Sequence, residues 1–103
     1  MCEPFRVLYA KTKLSGSQQT AEFDDVVDQI LEVSTLTYDS IKKVYRHAFA
    51  EQGSNVGWID PDTNGQSYFA WGRALGWYLM GIVEVLDLLP TSYSRRSELI
   101  TKF

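Results

Sequence analysis

Arg73 and Trp77 stand four residues apart in this 103-residue chain, a spacing that places both on one face of a helix. A guanidinium is a planar fork for a carboxylate, and an indole ring is a platform for a sugar, so the pair could hold an acidic sugar. A second explanation is an internal Arg–Asp or Arg–Glu pair beside a core tryptophan. An arginine near the start of an apolar helix is costly to bury without an anion, and both explanations supply one. His47, the only histidine, lies in Tyr45-Arg46-His47-Ala48-Phe49, which reads as a pocket-edge strand. It is either a pocket residue or a structural one, with Glu51 as a nearby carboxylate partner or a solvated loop residue.

Other chemistries are excluded by residue type. The run Asp60-x-Asp62-x-Asn64-Gly65 matches the first half of an EF-hand calcium loop. Such a loop needs a bidentate Glu at its twelfth position, and Trp71 stands there, so the run is read as an Asx-rich turn. Cys2 is the only cysteine, which rules out an intrachain disulfide and a multi-cysteine zinc site. With one histidine, a multi-histidine metal centre is excluded too. No nucleophile motif, Gly-rich phosphate loop or paired-carboxylate spacing stands out.

Ten basic against 13 acidic side chains give a net charge of −3, a poor surface for nucleic acid. The longest uncharged apolar run, Ala74 to Val83, is half of the roughly 20 residues a membrane span requires. The N-terminal Met1-Cys2-Glu3-Pro4-Phe5-Arg6 has no signal-peptide pattern, and cytoplasmic and periplasmic locations both stay open. With 45% hydrophobic and 22% charged residues, the chain has the composition of a folded domain, and residues 1–103 suffice for one.

The elements that must position these residues are mostly helical. Phe23, Val26, Val27, Ile30 and Leu31 recur at three- and four-residue spacings, predicting an amphipathic helix from Thr20, as its cap, to about Leu36. A second helix is expected from about Phe69 to Leu89, stopped by Pro90. Its apolar residues run almost all the way round, so it needs neighbours on most sides. Gly72, Gly76 and Gly81 within it suggest close packing or a backbone approached by a ligand. A short helix fits Glu3 to about Lys13, with Pro4 in its first turn and Leu14 to Ser17 as a loop. A last one fits from Ser94 to the end. Between the long helices, Val44 to Phe49 and Val56 to Ile59 read as extended pieces around a Gln52-Gly53-Ser54-Asn55 turn, followed by the Asp60–Gly65 turn. The class is all-α, about four helices with a short irregular or hairpin connector. They are too few to cover the apolar helix, which points to a slice of a larger helical protein or to a homo-oligomer.

The string Phe69-Ala70-Trp71-Gly72-Arg73-Ala74-Leu75-Gly76-Trp77-Tyr78-Leu79-Met80, continued by Val83-Glu84-Val85-Leu86-Asp87-Leu88-Leu89-Pro90, resembles the unsaturated rhamnogalacturonyl hydrolases, glycoside hydrolase family 105. That family carries a Trp-Gly-Arg-Ala-x-Gly-Trp signature before an apolar helix ending in Leu-Pro. Met1-Cys2-Glu3-Pro4-Phe5, Tyr45-Arg46-His47-Ala48-Phe49 and Trp58-Ile59-Asp60-Pro61 are similar, in order, to its Met-x-x-Pro-Phe, Tyr-x-His-Ala-Trp and Trp-Ala-Asp-Pro elements. The resemblance implies a partial (α/α)6-barrel, 1–103 being a central slice of it. It also implies a substrate: unsaturated galacturonyl-rhamnose oligosaccharides left by pectin breakdown. In the family an aspartic acid protonates the vinyl ether double bond, water adds, and the hydrated product rearranges and releases the neighbouring sugar. No metal or cofactor is involved.

By the same resemblance, His47, Arg73 and Trp77 match substrate-binding positions. No catalytic residue is carried over, because the family's general-acid aspartate precedes the position of Met1, and an aspartate of the His-x-Trp-Asp element is Ala50 here. The chain is therefore expected to be inactive by itself. It would work with the remainder of a barrel, in the same or a separate polypeptide. The alternative is a non-catalytic, self-associating helical module that binds a protein partner or an anionic sugar.

Overall fold

The computed structural model describes residues 2–51 and 56–102. Among them are four helices: α1 (Glu3–Lys13), α2 (Gly16–Thr37), α3 (Gly72–Leu88) and α4 (Arg96–Ile100). A small antiparallel hairpin, β1 (Tyr38–Asp39) and β2 (Val44–Tyr45), follows α2, with Tyr38 opposite Tyr45 and Asp39 opposite Val44.

The first connection is shorter than its Leu-Ser-Gly-Ser sequence suggests. Gly16 takes a positive φ of 54° and reverses the chain within two residues. The Gln19 side-chain amide then donates to the Ala10 carbonyl, which also takes the Leu14 N–H, and to the Leu14 carbonyl just past the end of α1. Helix α2 therefore begins four residues before Thr20, whose hydroxyl bonds back to the Gly16 carbonyl instead of capping. Antiparallel packing follows from the tight turn. Arg6 of α1 pairs with Glu22, at 2.6 Å, and with Asp25 of α2.

Helix α3 lies antiparallel to α2, tied at one end by Ser34 to Tyr78. At the other end Tyr93, just beyond α3, bonds Asp24 at 2.5 Å. The apolar stripe of α2 is its buried face: Phe23, Val26, Val27 and Ile30 meet Val7 and Ala10 of α1, Ile82 and Val85 of α3, Leu89, and Leu99 of α4. Pro90 ends α3 as expected. The start of α3, however, is Gly72 and not Phe69, because Trp71 is still extended and Phe69, in a bend, is engaged elsewhere. Helix α4 starts at Arg96, two residues after Ser94.

The apolar surplus of α3 stays uncovered. Trp77 (59% exposed), Met80 and Val83 form one stripe, and Phe5 (70% exposed), Leu8 and Tyr9 form another on α1. Added Cβ atoms at Gly72 and Gly76 would meet nothing within 4 Å, so close packing within this chain does not account for them. Among the described residues, no helix is long and apolar enough to cross a membrane.

The segment between the hairpin and α3 is where the sequence misleads most. Of the expected Val44–Phe49 piece only Val44–Tyr45 is a strand, paired back to Tyr38–Asp39, and Val56–Ile59 forms none. Phe49 bridges to Gln66, and Ile59 bridges to Ser67. The Gln52–Asn55 turn, like Met1, lies outside the described residues. Gly65, at φ 108°, is required where it stands, since a Cβ there would come within 2.2 Å of the Ala50 carbonyl oxygen.

What organises this connector is Arg46. Its guanidinium is buried and donates to Asp39 Oδ2 from Nε (3.0 Å) and Nη2 (2.8 Å), and from Nη1 to Asp60 Oδ2 (2.7 Å) and the Ser67 carbonyl (2.7 Å). Asp60 also accepts from the Asp62 N–H through Oδ1. The Asp60–Gly65 run is thus a turn whose first carboxylate is committed to arginine. Both carboxylates are held below the ordinary aspartate range. For Asp39 the leading cause is the Lys42 backbone N–H, assisted by Arg46 and the Ile41 N–H. For Asp60 it is Arg46, then the Asp62 N–H.

A depressed carboxyl pKa means that, near pH 4, the unfolded chain binds more protons than the folded one. Stability should therefore be fully present above the ordinary aspartate pKa and fall as the pH drops below about 4. Urea midpoints measured from pH 6 to pH 3 test this. A fall that is equally steep in Asp60→Asn would remove Asp60 from the account.

Candidate functional site

The Ser67–Trp71 segment, the end of β2 and the first turn of α3 meet at one end of the helices. His47 lies two residues beyond β2, in a bend and not in a strand, and its ring is exposed. Its Nδ1 is 2.6 Å from the Phe69 carbonyl oxygen and 3.2 Å from the Ser67 hydroxyl. These, and not Glu51, are its hydrogen-bond partners among the described residues. The ring also meets Trp71 edge-on, with centroids 6.3 Å apart.

Trp71 joins His47 to Arg73. As the residue capping α3 it is still extended (φ −115°, ψ 115°), which turns its ring back beneath the helix's second residue. The Arg73 guanidinium lies 5.0 Å from the Trp71 ring centroid in a cation–π contact. Arg73 is exposed, so the burial cost that sequence reasoning assigned to it is not incurred, and it makes no internal carboxylate pair among the described residues.

The contrast with the other four arginines is informative. Arg6 and Arg95 pair with carboxylates of α2 and α4, Arg46 with Asp39 and Asp60, and Arg96 donates to the Leu86 and Leu89 carbonyls. Among the described residues, Arg73 alone of these arginines has neither a carboxylate nor a carbonyl partner, and its side chain is exposed.

Trp77 stands one turn along α3 from Arg73, its ring exposed and making no ring contact with Trp71 or His47 among the described residues. Below His47, a cavity of about 140 Å³ runs between α2 and α3, bordered by Val33, Tyr45, Ala74, Leu75 and Tyr78. Among the described residues, its lining contains no Asp or Glu. Of the three residues singled out from sequence, the structure thus connects His47 and Arg73 through Trp71, with Trp77 adjacent on the helix. Trp71 and Ser67 were missed. Trp71 could have been found from its place two residues before an arginine at a helix start. Ser67 carried no signal in its neighbourhood.

The family model that matches this chain is Glycosyl Hydrolase Family 88, over residues 1–103. The chain belongs to glycosyl hydrolase family 88. Two curated relatives are each 32% identical over 87 residues: the protein Atu3128 of Agrobacterium fabrum and a 24.9 kDa protein from the picA locus of Rhizobium radiobacter. Each alignment takes in 84% of this chain and 34% of the relative. Among solved structures, a family 105 glycoside hydrolase of C. acetobutylicum superposes with a TM-score of 0.83 at 27% identity, covering 97% of this chain and 26% of that one.

This family 88 chain therefore spans about a third of the length of its curated relatives and about a quarter of its structural neighbour. The fold expectation is borne out: four helices and a hairpin connector that are a fragment of the family 105 α/α-barrel.

Proposed function

We propose that this chain carries the acidic-sugar recognition face of a glycoside hydrolase acting on unsaturated galacturonyl-rhamnose oligosaccharides. The observation that carries the reading is the exposed fork of Arg73, stacked on Trp71 and unpaired among the described residues, where every other arginine is engaged. A uronate carboxylate is its natural partner, since a charged, bidentate contact is stronger than a neutral one. Trp77 supplies an apolar plane for the neighbouring sugar face, and His47 a ring nitrogen for a hydroxyl. The hydration chemistry needs an acid in a desolvated pocket. The carboxylate-free cavity under His47 favours a binding role for these residues, with the proton donor elsewhere in a complete barrel. The uncovered stripes of α1 and α3 favour residues 1–103 as one slice of that barrel, packed against further helices.

Titration calorimetry tests this with two ligands, unsaturated galacturonyl-rhamnose and its analogue with the carboxylate reduced to an alcohol. The uronate is expected to bind at least about tenfold tighter, the value of one charge-assisted contact. Equal affinities would sink the uronate assignment. Following the ultraviolet absorbance of the ligand's conjugated double bond in the same samples separates binding from turnover, and no loss is expected.

The same exposed stripes also favour a second reading, a self-associating module. Sedimentation velocity distinguishes the two, because only that reading makes a stable homo-oligomer of this chain.

A further inference from the structure

We infer that Ser67 is a positioning residue: with the Phe69 carbonyl it locks His47 in the Nδ1–H tautomer and leaves Nε2 as an acceptor for a sugar hydroxyl. The inference rests on the reading of His47 as a sugar-binding residue. Its geometry stands apart from that reading. Three polar atoms form a closed triangle, with Nδ1 2.6 Å from the Phe69 oxygen, Nδ1 3.2 Å from Ser67 Oγ, and Ser67 Oγ 3.1 Å from the Phe69 oxygen.

The proton count in this triangle has one satisfactory solution. A carbonyl oxygen only accepts, so at 2.6 Å Nδ1 must be the donor. Ser67 donates its one proton to the same carbonyl, which leaves the hydroxyl's lone pairs toward Nδ1–H. The opposite tautomer would set a bare ring nitrogen against a carbonyl lone pair at hydrogen-bond distance. Ser67 is fully buried, so no solvent competes for its hydroxyl, and its backbone is pinned by Arg46 at its carbonyl and by the Ala48 carbonyl at its N–H. The ring is thereby fixed from behind, and Nε2 has no hydrogen-bond partner among the described residues. In the neutral ring that nitrogen is an acceptor. Sugar hydroxyls are donors as well as acceptors, and an oriented acceptor beside an arginine fork discriminates among them.

His47 is the only histidine, so ring-nitrogen spectra of the untagged, ¹⁵N-labelled chain need no assignment. Two-bond ¹H–¹⁵N correlation at a pH where the ring is neutral should show a protonated Nδ1 and an unprotonated Nε2, the reverse of the form free histidine prefers in water. A spectrum dominated by Nε2–H would overturn the proposal outright. In Ser67→Ala the Nε2–H fraction should rise severalfold and affinity for unsaturated galacturonyl-rhamnose should fall about three- to tenfold, the value of a net neutral hydrogen bond. Ser67→Thr, which keeps the hydroxyl, should restore both. An unchanged tautomer in Ser67→Ala overturns the positioning role. A changed tautomer with unchanged affinity upholds the lock and overturns the sugar-binding reading of His47.

Discussion

Arg46→Ala is expected to cost the folded chain about 3–5 kcal/mol, the range seen when one partner of a buried ion cluster is deleted. The side chain is 7% exposed, and its Asp39 partner 6%. Deleting the guanidinium leaves the Asp39 carboxylate buried with only the Ile41 and Lys42 N–H groups. It also removes the donor that holds the Ser67 and Tyr68 carbonyls. The penalty is that of stranded polar groups, which exceeds the net value of the bonds themselves. Arg46→Lys should recover little. A single ammonium cannot span Asp39, Asp60 and two carbonyls that a five-donor fork reaches together. Urea denaturation followed by far-ultraviolet circular dichroism gives the answer, and a loss below about 1 kcal/mol would show that Arg46 does not organise the connector. Asp60→Asn keeps the experiment readable if Arg46→Ala does not fold. It should cost less, because Arg46 retains Asp39.

Arg46 also shows why the connector was harder to read than the helices. The helices are local: Phe23, Val26, Val27 and Ile30 announce α2 through their spacing, and Pro90 ends α3 wherever the rest of the chain lies. The helix starts were read less well, because each is decided by contacts distant in sequence. Gln19 reaching Ala10 pulls the start of α2 forward, and the engagement of Phe69 by His47 and Ser67 pushes the start of α3 back. The connector is stabilised by an arginine that bonds residues 7, 14 and 21 positions away, and no periodicity reports that. Nor could spacing tell Arg46 from Arg73. Both sit near aromatics and ahead of aspartates, yet one is buried and fully paired while the other is exposed. The resemblance supplied by Trp71-Gly72-Arg73 and the following residues drew attention to the second, and geometry separated them.

Arg73→Ala should weaken binding of unsaturated galacturonyl-rhamnose by about 10- to 150-fold, equivalent to the 1.5–3 kcal/mol of a hydrogen bond to a charged group. The variant is a clean test because Arg73 is exposed and spends nothing on the fold. Its own contact is the Trp71 ring, and surface substitutions of this kind shift stability by no more than about 0.5 kcal/mol. Arg73→Lys should fall between the two, since it keeps a point charge but gives up the planar fork and the stacking on Trp71. The decisive comparison adds the alcohol analogue. If the guanidinium reads the carboxylate, removing either one should abolish most of the preference, and removing both should cost little more than removing one, as coupled partners do in a double-mutant cycle. Additive losses would place the carboxylate elsewhere, away from Arg73. Because the fork, the Trp71 ring and His47 are carried by one short stretch of backbone and one bend, their alignment depends on the connector that Arg46 holds. A destabilising change at Arg46 should therefore weaken uronate binding as well, whereas Arg73→Ala should leave the unfolding midpoint where it is.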